Sequence, residues 1–263
     1  MRRSADSDAG ANPGSIDIVI PTLNEAARLE SCLRHLRSAI EDLESRRGAG
    51  LAHVWVSDGG SVDSTCRVAE GFGAHVLKDG LKGRGQQLRQ GCEAGQGEIV
   101  LMLHADAHIR ADVLTGLTDT LRSDPSISWG ILGGRFDRRR FRMRVLEFLN
   151  ALRFKFTGVA FGDQGIFARR TQLESVGGVP AIPLMEDVEL SLRLVGTGRR
   201  YRVGNGLTVS SRRWDERPFF KSFFHVIKIC LEYMIRRRRG ADIHELSARM
   251  YEEYYDRAPM SVD

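Results

Sequence analysis

The feature that most constrains the fold is an apolar run at residues 99–103 that ends abruptly in His104-Ala105-Asp106. Five consecutive apolar residues are typical of a strand that is buried on both faces, as in a parallel sheet covered by helices. An ionisable pair at the end of such a strand indicates that this end opens on water, a cation or a ligand. Asp106 is therefore a candidate for contact with a metal or a phosphate, although it could instead cap a helix predicted over 112–121.

Three strand–loop–helix units precede this strand. Short, largely apolar strands are predicted at 16–20, 53–56 and 74–77, and helical spacing of apolar residues follows the first of them at 29–40. A polar loop follows each strand at its carboxyl end, which is the edge where open α/β sheets bind their ligands. The sequence therefore predicts an α/β fold with a doubly wound, mostly parallel sheet and a nucleotide-binding first half.

Two of these loops carry residues suited to a nucleotide. Asp58 follows the second strand beside two glycines, so it could accept a hydrogen bond from a base or a ribose hydroxyl. The same loop could simply begin a helix, with Ser61 or Asp63 as the cap. After the third strand, Lys82 and Arg84 stand among glycines just before a helix predicted at 86–94, which suits either an anion at a helix start or a solvated basic loop.

Three motifs occur in a fixed order: Pro21-Thr22-Leu23-Asn24-Glu25, Asp58-Gly59-Gly60-Ser61 with Asp63 and Thr65, and His104-Ala105-Asp106. Together they resemble the signature of the family 2 glycosyltransferases, whose fold is called GT-A. The likeness covers about residues 16–255 and is strongest to the short bacterial branch described as radical-SAM/selenoprotein-associated transferases. The resemblance implies an inverting enzyme that moves a sugar from a nucleotide-diphosphate sugar to an acceptor hydroxyl, usually with Mg²⁺ or Mn²⁺ on the diphosphate.

One departure from the family pattern concerns the metal. Most family members carry Asp-x-Asp where this chain has His104-Ala105-Asp106, so the first carboxylate is missing. By resemblance the last Asp contacts the metal directly, and Asp106 is retained. His104 is either a nitrogen ligand, more natural for Mn²⁺ than for Mg²⁺, or a residue that packs at the strand end, and the preference of Mg²⁺ for oxygen favours packing.

The pair Glu186-Asp187 lies in an apolar setting, where two adjacent acids are costly unless they have partners. By resemblance the pair opens a helix, Asp187 is the general base that takes the proton of the acceptor hydroxyl, and Glu186 is its orienting neighbour. The alternative is an acidic first helical turn that the helix dipole favours.

Two other segments of the back half also resemble family elements. The stretch 161–167 resembles the segment at the junction of donor and acceptor, although it could be a turn before a strand at 165–168. A strand with a glycine interruption at 129–136 and an apolar-basic helix at 141–156 precede it. The stretch 210–214 resembles the family's terminal Gln-x-x-Arg-Trp with serine in place of glutamine, which leaves the glutamine contact in doubt.

The candidate catalytic residues are Asp187 and Glu186, and the candidate metal ligands are Asp106 and His104. The candidate nucleotide-sugar-binding residues are Pro21, Thr22, Asn24, Glu25, Asp58, Gly59, Lys82, Arg84, Gln87, Ala105, Asp106, Asp163, Gln164, Arg213 and Trp214.

Length and composition favour one large domain. The 263 residues with a formal charge of +5 suit a soluble, mildly basic protein with an anionic partner. We expect a disordered lead-in at 1–14, a GT-A domain at 15–217 and a helical extension at 218–263. The four scattered cysteines form no metal-ligand pair and read as reduced thiols, and no signal peptide or 18-residue apolar run is recognised, so we expect a cytoplasmic protein without a spanning helix.

The extension has apolar residues at helical spacing over 218–235, followed by four arginines at 236–239. Such a helix either lies on an anionic bilayer, at the inner face of the membrane, or packs on the domain or on a second subunit, and packing is slightly favoured. The expected partners are a nucleotide-diphosphate sugar and an unidentified hydroxyl acceptor, with a membrane surface and a homodimer as further candidates and nucleic acid not expected.

Two other function classes compete with glycosyl transfer. Nucleotidyl transfer on a related fold would require a glycine-rich loop with Arg and Lys directly after the first strand, and the acidic stretch 21–25 lacks it. A non-catalytic nucleotide-sugar-binding module is supported by the missing first carboxylate, and the retained Glu186-Asp187 argues against it.

Overall fold

The computed structural model describes residues 14–80, 83–138, 140–211 and 219–256. The strands are β1 (Ile16–Thr22), β2 (Ala52–Asp58), β3 (His75–Leu77), β4 (Ile99–Met102), β5 (His108–Ile109), β6 (Ile127–Ile131), β7 (Gly134–Phe136), β8 (Ile166–Arg169), β9 (Arg199–Arg202) and β10 (Leu207–Val209). The helices are α1 (Ala26–Arg47), α2 (Thr65–Phe72), α3 (Arg84–Ala94), α4 (Val113–Ser123), α5 (Phe141–Thr157), α6 (Arg170–Ser175), α7 (Glu186–Leu194), α8 (Phe219–Arg238) and α9 (Ile243–Asp256), with a short 3₁₀ helix at Gly162–Gln164.

The described residues form a main sheet of seven strands in the order β3-β2-β1-β4-β8-β6-β9. All neighbouring pairs are parallel except those of β8, which runs antiparallel to β4 and to β6. A second sheet of three short strands has the order β5-β10-β7. The α/β fold with a doubly wound, mostly parallel sheet is therefore confirmed.

The central strands are buried on both faces, as their unbroken apolar runs predict. Ile99 and Leu101 of β4 pack into the core on one side of the sheet, together with α1 and α4, while Val100 and Met102 pack on the other side with α3 and α7. Each side chain of β4 is at most 4% exposed. Alternation of Cβ direction along a strand explains how one continuous apolar run fills both layers.

The sequence predicts one interrupted strand at 129–136, and this prediction is wrong in one respect. The structure divides the segment into two strands, β6 and β7, which belong to different sheets. Gly133 has a left-handed backbone with φ of 72°, and a Cβ at this position would lie 2.0 Å from the carbonyl oxygen of Gly204. The chain therefore turns where only glycine fits, and the second segment leaves the main sheet. The helix predicted at 112–121 begins at Val113 with Asp112 at its N-cap position, so Asp106 does not cap it.

The two C-terminal helices pack against the main domain. Ile229 and Tyr233 of α8, with Leu246 of α9, form an apolar cluster with Val159 and Val188. Packing of this helix on the domain, which the sequence slightly favours, is thus observed for one of its faces. None of the helices in the described ranges is both long enough and apolar enough to cross a membrane.

Candidate active site

The candidate residues gather at the carboxyl ends of β1, β2 and β4. In the strand order β3-β2-β1-β4 the chain winds outward in one direction from β1 to β3 and then returns to the other side of β1 with β4. The strand order therefore reverses between β1 and β4, and open α/β sheets bind ligands in the crevice at the carboxyl edge of such a point. The stretches 21–25 and 103–107 flank this crevice.

Asp58 ends β2 and organises the loop that follows it. Its two carboxylate oxygens accept hydrogen bonds from the hydroxyl of Thr22 at 3.1 Å, from the amide of Gly60 at 2.9 Å, and from the amide and hydroxyl of Ser61. Burial opposes ionisation of Asp58, but these donors outweigh it and lower its pKa. Four donors match the roughly four lone-pair positions of a carboxylate, so a nucleoside hydroxyl would have to replace one of them.

The stretch 21–25 is fastened to the same loop. Asn24 has a left-handed backbone with φ of 53°, its amide donates to the hydroxyl of Ser61, and its side-chain oxygen accepts from the amide of Val62. The amide of Glu25 donates to Thr65, while its carboxylate pairs with Arg28 at 2.8 Å. These contacts shape the rim of the crevice and leave the carboxylate of Glu25 partly exposed.

Helix α3 connects this rim to the acidic pair. The side-chain amide of Gln87 donates to the carbonyl oxygens of Thr22 and Ser57, at 2.7 and 2.9 Å. A Cβ at Gly59 would lie 3.0 Å from this same amide nitrogen, so glycine lets the loop approach α3 closely. Arg84 stands one turn before Gln87 on the same helix face and points to the other side of the crevice.

The guanidinium of Arg84 contacts three candidate residues at once. Its Nε pairs with Glu186, its Nη1 donates to Nε2 of His104 at 3.0 Å, and its Nη2 donates to Asp187 at 3.2 Å. Because a guanidinium has no acceptor, His104 must offer the lone pair of Nε2 and carry its proton on Nδ1. Burial lowers the pKa of His104 to about 3, and the charge of Arg84 acts in the same direction.

Asp187 lies in the first turn of α7 and is 11% exposed at its side chain. Its Oδ2 accepts from the amide of Gly162 at 2.7 Å as well as from Arg84, and its Oδ1 accepts from the amide of Val188 at 2.7 Å. Three donors leave one of its roughly four lone-pair positions open. The pair Glu186-Asp187 begins a helix as expected, and both the helix dipole and the charge of Arg84 stabilise the two acids.

The stretch around Gly162 lies directly against this pair. A Cβ at 162 would stand 2.7 Å from Nε2 of His104, so glycine is required for the amide to reach Asp187. The side-chain oxygen of Gln164 accepts from Arg153 of α5 at 2.9 Å and from the amide of Phe161. The guanidinium of Arg153 also stacks on the ring of Phe161, at 3.5 Å from its centroid.

Asp163 is a half-buried acid that has one fully buried carboxylate oxygen. Its Oδ1 is buried and has no hydrogen-bond partner among the residues that the structure describes. Burial raises the pKa of Asp163 above its ordinary value, against the lowering effect of Arg153, and the nearby Asp187 raises it further. An orphaned oxygen in such a place is typical of a site that a ligand completes.

The residues at the end of β4 allow a test of the expected metal site. Asp106 is half-buried and makes no hydrogen bond or ion pair with any residue of the described ranges, so its oxygens are available. Those ranges hold no group of three or more His, Cys, Asp and Glu arranged around a cation. A divalent ion that takes one carboxylate from the protein and its other ligands from a diphosphate and water fits this arrangement. In this structure Nε2 of His104 is engaged by Arg84.

The remaining candidates have different surroundings. Pro21 lines a small cavity beside His104, Gly162 and Asp187, and Ala105 is buried in the turn after β4. Lys82, Arg213 and Trp214 lie outside the described residues.

The structure adds two contacts to those that the motifs indicate. The amide of Gly162 donates to Asp187 of the acidic pair, and the guanidinium of Arg153 donates to Gln164 of the stretch 161–164. Arg153 lies inside a helix, where no local sequence pattern distinguishes it. The position of Gly162 next to the candidate acid Asp163 was the only sequence signal for the contact of Gly162 with Asp187. For Arg153 the sequence offers none.

The chain is similar to known proteins over a large part of its length. The profile of the family described as Glycosyl transferase family 2 matches residues 17–174, which is more than half of the chain. The chain belongs to this family. The matched region contains β1 to β4 and the stretch 161–167, and it ends before α7 and the acidic pair Glu186-Asp187.

Two curated relatives are each similar to part of this chain. The glycosyltransferase AglJ of Haloferax volcanii is 36% identical over 110 residues, which are 41% of this chain and 33% of AglJ. The undecaprenyl-phosphate 4-deoxy-4-formamido-L-arabinose transferase of Sodalis glossinidius is 29% identical over 160 residues, which are 59% of this chain and 48% of that protein. The chain thus spans about half or less of the length of these curated relatives.

A solved structure extends the likeness to most of the chain. The mannosyltransferase PcManGT of Pyrobaculum calidifontis, in complex with GDP-Man and Mn²⁺, superposes with a TM-score of 0.64 at 18% identity and covers 93% of this chain and 72% of its own. At this identity the likeness concerns the fold. The GT-A fold expected from the motifs is confirmed.

Proposed function

We propose that this protein transfers a sugar from a nucleotide-diphosphate sugar to an acceptor hydroxyl with inversion at the anomeric carbon. The observation that carries the proposal is the position of Asp187, which is held by Arg84 and the amide of Gly162 beside the crevice between β1 and β4. This position supports a reaction in which Asp187 acts as the base next to the crevice proposed for the donor. Membership of glycosyl transferase family 2 supports the same activity.

In the proposed reaction, the open lone pair of Asp187 accepts the proton of the acceptor hydroxyl. The hydroxyl oxygen forms a bond to the anomeric carbon while the bond from that carbon to the phosphate oxygen breaks, so the nucleoside diphosphate leaves with the electron pair. Attack from the face opposite the leaving group inverts the configuration. The backbone amide of Gly162 and the guanidinium of Arg84 fix the direction in which Asp187 presents its oxygen.

A divalent ion, Mg²⁺ or Mn²⁺, would be held through Asp106 and would stabilise the negative charge that develops on the leaving diphosphate. The solved complex of PcManGT contains Mn²⁺ and GDP-Man, which supports a divalent ion and a nucleotide-sugar donor here. The loop around Asp58 and the stretch 21–25 form the rim against which the nucleoside lies. Lys82 and Arg213 are proposed as further contacts to the diphosphate.

Asp187→Asn tests the proposal. The substitution preserves size but removes the proton acceptor, so transfer should fall by roughly 10² to 10⁴-fold. Affinity for the donor should stay within a few fold, because the nucleotide is held by other residues. Both quantities are measured on one preparation, with turnover assayed across a panel of nucleotide sugars and affinity measured by calorimetry.

Glu174→Gln serves as the matched control, since Glu174 is an exposed acid on α6, outside the acidic pair. It should keep most of the transfer activity. Near-normal turnover in Asp187→Asn would assign the base to Glu186 or Asp163 and contradict the mechanism.

Two alternatives make different predictions in the same experiments. A non-catalytic module would bind nucleotide sugars without turnover in the unsubstituted protein. A nucleotidyltransferase would release pyrophosphate from a nucleoside triphosphate, whereas the proposed transferase releases a nucleoside diphosphate from its donor.

The narrower expectations stay predictions. Placement in the radical-SAM/selenoprotein-associated branch rests on the motifs alone. The cytoplasmic location rests on the composition and the scattered cysteines, and the homodimer rests on the helical spacing of apolar residues in the C-terminal segment. The relative that acts on undecaprenyl phosphate supports a lipid-linked acceptor and contact with a membrane surface. Helix α8 offers one surface for such contact, because Phe224, Leu231 and Ile235 form an exposed apolar stripe opposite its packed face.

A further inference from the structure

Helix α5 is apolar on two opposite faces, and only one of them is covered. Met143, Leu146 and Phe154 are each at most 3% exposed and pack into the core. On the other side, Phe141 is 81% exposed and Phe148 is 62% exposed. At 100° per residue the outward apolar side chains fall within about 100° of the helix circumference, so they form one continuous stripe. The stripe consists of Phe141, Val145, Phe148, Leu149, Leu152 and Phe156.

Exposed aromatic side chains in such an array are unusual on a surface that stays in water. Three phenylalanines are each more than 60% exposed on this single helix. A well-packed partner or an apolar phase would remove this area from water. The stripe therefore indicates an interaction surface.

The charges around the stripe identify its occupant. Residues 138–157 contain seven Lys and Arg and a single acid, Glu147. The carboxylate of Glu147 turns toward the domain, where it accepts from the amide of Phe136 at 2.7 Å. Helical geometry places the exposed Arg144 and Lys155 along one border of the stripe, and the half-buried Arg142, whose Nε is buried, along the other. An apolar stripe bordered by basic side chains is the pattern of a helix that lies in the interface of an anionic bilayer.

A second copy of the chain is a poorer occupant. A symmetric contact through this face would bring two strongly basic borders together, and like charges in apposition oppose association. Anionic lipid headgroups match the same borders with opposite charge.

We propose that the outward face of α5 docks on the surface of an anionic lipid bilayer, with its phenylalanines inserted among the acyl chains and its basic borders on the headgroups. Arg153, which contacts Phe161 and Gln164, lies about 90° around α5 from the middle of the stripe. The stripe therefore occupies the side of α5 next to the one that contacts the stretch 161–164. Docking through α5 brings the membrane surface to the acceptor side of the crevice.

Vesicle flotation of the full-length protein tests the proposal. Vesicles of phosphatidylcholine alone are compared with vesicles that also contain phosphatidylglycerol, at low and at high NaCl concentration. We expect binding only to the anionic vesicles and release at high salt, because charges farther apart than the Debye length are screened. Phe141→Ser combined with Phe148→Ser should weaken binding at least tenfold, since each phenylalanine removed from an apolar phase contributes about that factor.

Two matched variants make the test specific. Arg144→Glu with Lys155→Glu should abolish the preference for anionic vesicles and leave the melting temperature unchanged. Phe224→Ser with Leu231→Ser removes exposed apolar residues from α8 instead and should leave most of the binding in place.

Several outcomes would overturn the proposal. They are failure of the unsubstituted protein to float with anionic vesicles at low salt, equal binding by the α5 serine variant, and loss of binding in the α8 variant alone. Sedimentation that shows a dimer abolished by the α5 serine substitutions would assign the stripe to a second copy of the chain.

Discussion

Among single side chains, Arg84 decides the electrostatics of the site. Glu186 is 1% exposed, and burial raises its pKa while the charge of Arg84 opposes this rise. Removal of Arg84 would leave this buried carboxylate without its charged partner, at a cost of roughly 1–3 kcal/mol, because Arg84 is itself 35% exposed and water screens part of the interaction. The same guanidinium fixes the tautomer of His104 and the orientation of Asp187. A lysine could not reproduce these three directed contacts, since it has a point charge in place of a planar fork.

The ionised carboxylate of Asp163 is expected to destabilise the folded protein when no ligand is bound. Asp163→Asn should raise the free energy of unfolding by roughly 1–3 kcal/mol at neutral pH, because it removes a charge from a carboxylate whose Oδ1 is buried without a hydrogen-bond partner among the described residues. The pKa of Asp163 is higher in the folded than in the unfolded protein, so the folded protein binds the proton more tightly. Ionisation of Asp163 therefore destabilises the folded protein only as the pH rises above the pKa of the unfolded chain. The gain should therefore be absent below about pH 4 and should grow with pH.

Urea unfolding of both proteins at several pH values measures this difference. Transfer activity should fall in the same variant if Asp163 contacts a ligand. A variant that is less stable than the unsubstituted protein at neutral pH would show that Asp163 has a structural partner.

Asp106 can be tested apart from the fold because it lies at an open strand end. Asp106→Ala should abolish Mn²⁺-dependent binding of UDP or GDP while the melting temperature stays within a few degrees. Calorimetry with each nucleotide, with Mn²⁺ and with EDTA, gives the metal-dependent part of the affinity. Unchanged Mn²⁺-dependent affinity would remove Asp106 from the metal site.

At the scale of secondary-structure elements, α8 is connected to the helix that carries the acidic pair. Glu189 of α7 is 2% exposed and accepts from the phenol of Tyr233 at 3.0 Å, from Arg237, and from Arg193 of its own helix. Burial opposes ionisation of Glu189, but these donors lower its pKa. The C-terminal extension therefore helps to hold α7, and with it Asp187, against the crevice.

Arg237→Ala should lower the free energy of unfolding by roughly 1–3 kcal/mol at neutral pH, because the buried carboxylate of Glu189 loses a charged donor. Since the folded-state pKa of Glu189 is depressed, this stabilisation is complete above the unfolded pKa of about 4.3 and is lost as pH falls through the folded value. The difference between variant and unsubstituted protein should shrink accordingly in acid.

Arg238→Ala is the matched control, since Arg238 is the next residue on the same helix and is exposed. It should change stability by less than about 0.5 kcal/mol. Equal effects of the two substitutions, measured by urea unfolding, would show that the contact with Glu189 contributes nothing.

At the scale of the whole molecule, the sequence predicts the first half better than the second. Unbroken apolar runs followed by polar loops predict β1 to β4 and their common edge, because a parallel sheet repeats one local pattern. The motifs also predict which loops meet at the crevice. The division of 129–136 between two sheets was not predicted, since it depends on the close approach of Gly133 to the distant Gly204.

The candidate site could also be predicted only in part from the sequence. The acids Asp58, Asp106 and Asp187 were predicted from motifs, and the structure places all three at or near the crevice. The motifs do not indicate how many hydrogen bonds each acid already accepts from the protein. Asp58 accepts four, and Asp106 accepts none from the described residues. Such differences arise from contacts between segments far apart in sequence, as Arg84 with Asp187 illustrates.

The antiparallel strand β8 has a consequence for synthesis on the ribosome. β4 pairs with β1 on one side and with β8 on the other, and 63 residues separate the end of β4 from the start of β8. A growing chain can therefore assemble β1 to β4 well before the partner for the second edge of β4 leaves the exit tunnel. Until then, the unpaired N–H and C=O groups along the edge of β4 are open to pairing with other nascent chains. A chain released before residue 166 never acquires β8, so we expect premature termination there to produce an aggregation-prone fragment.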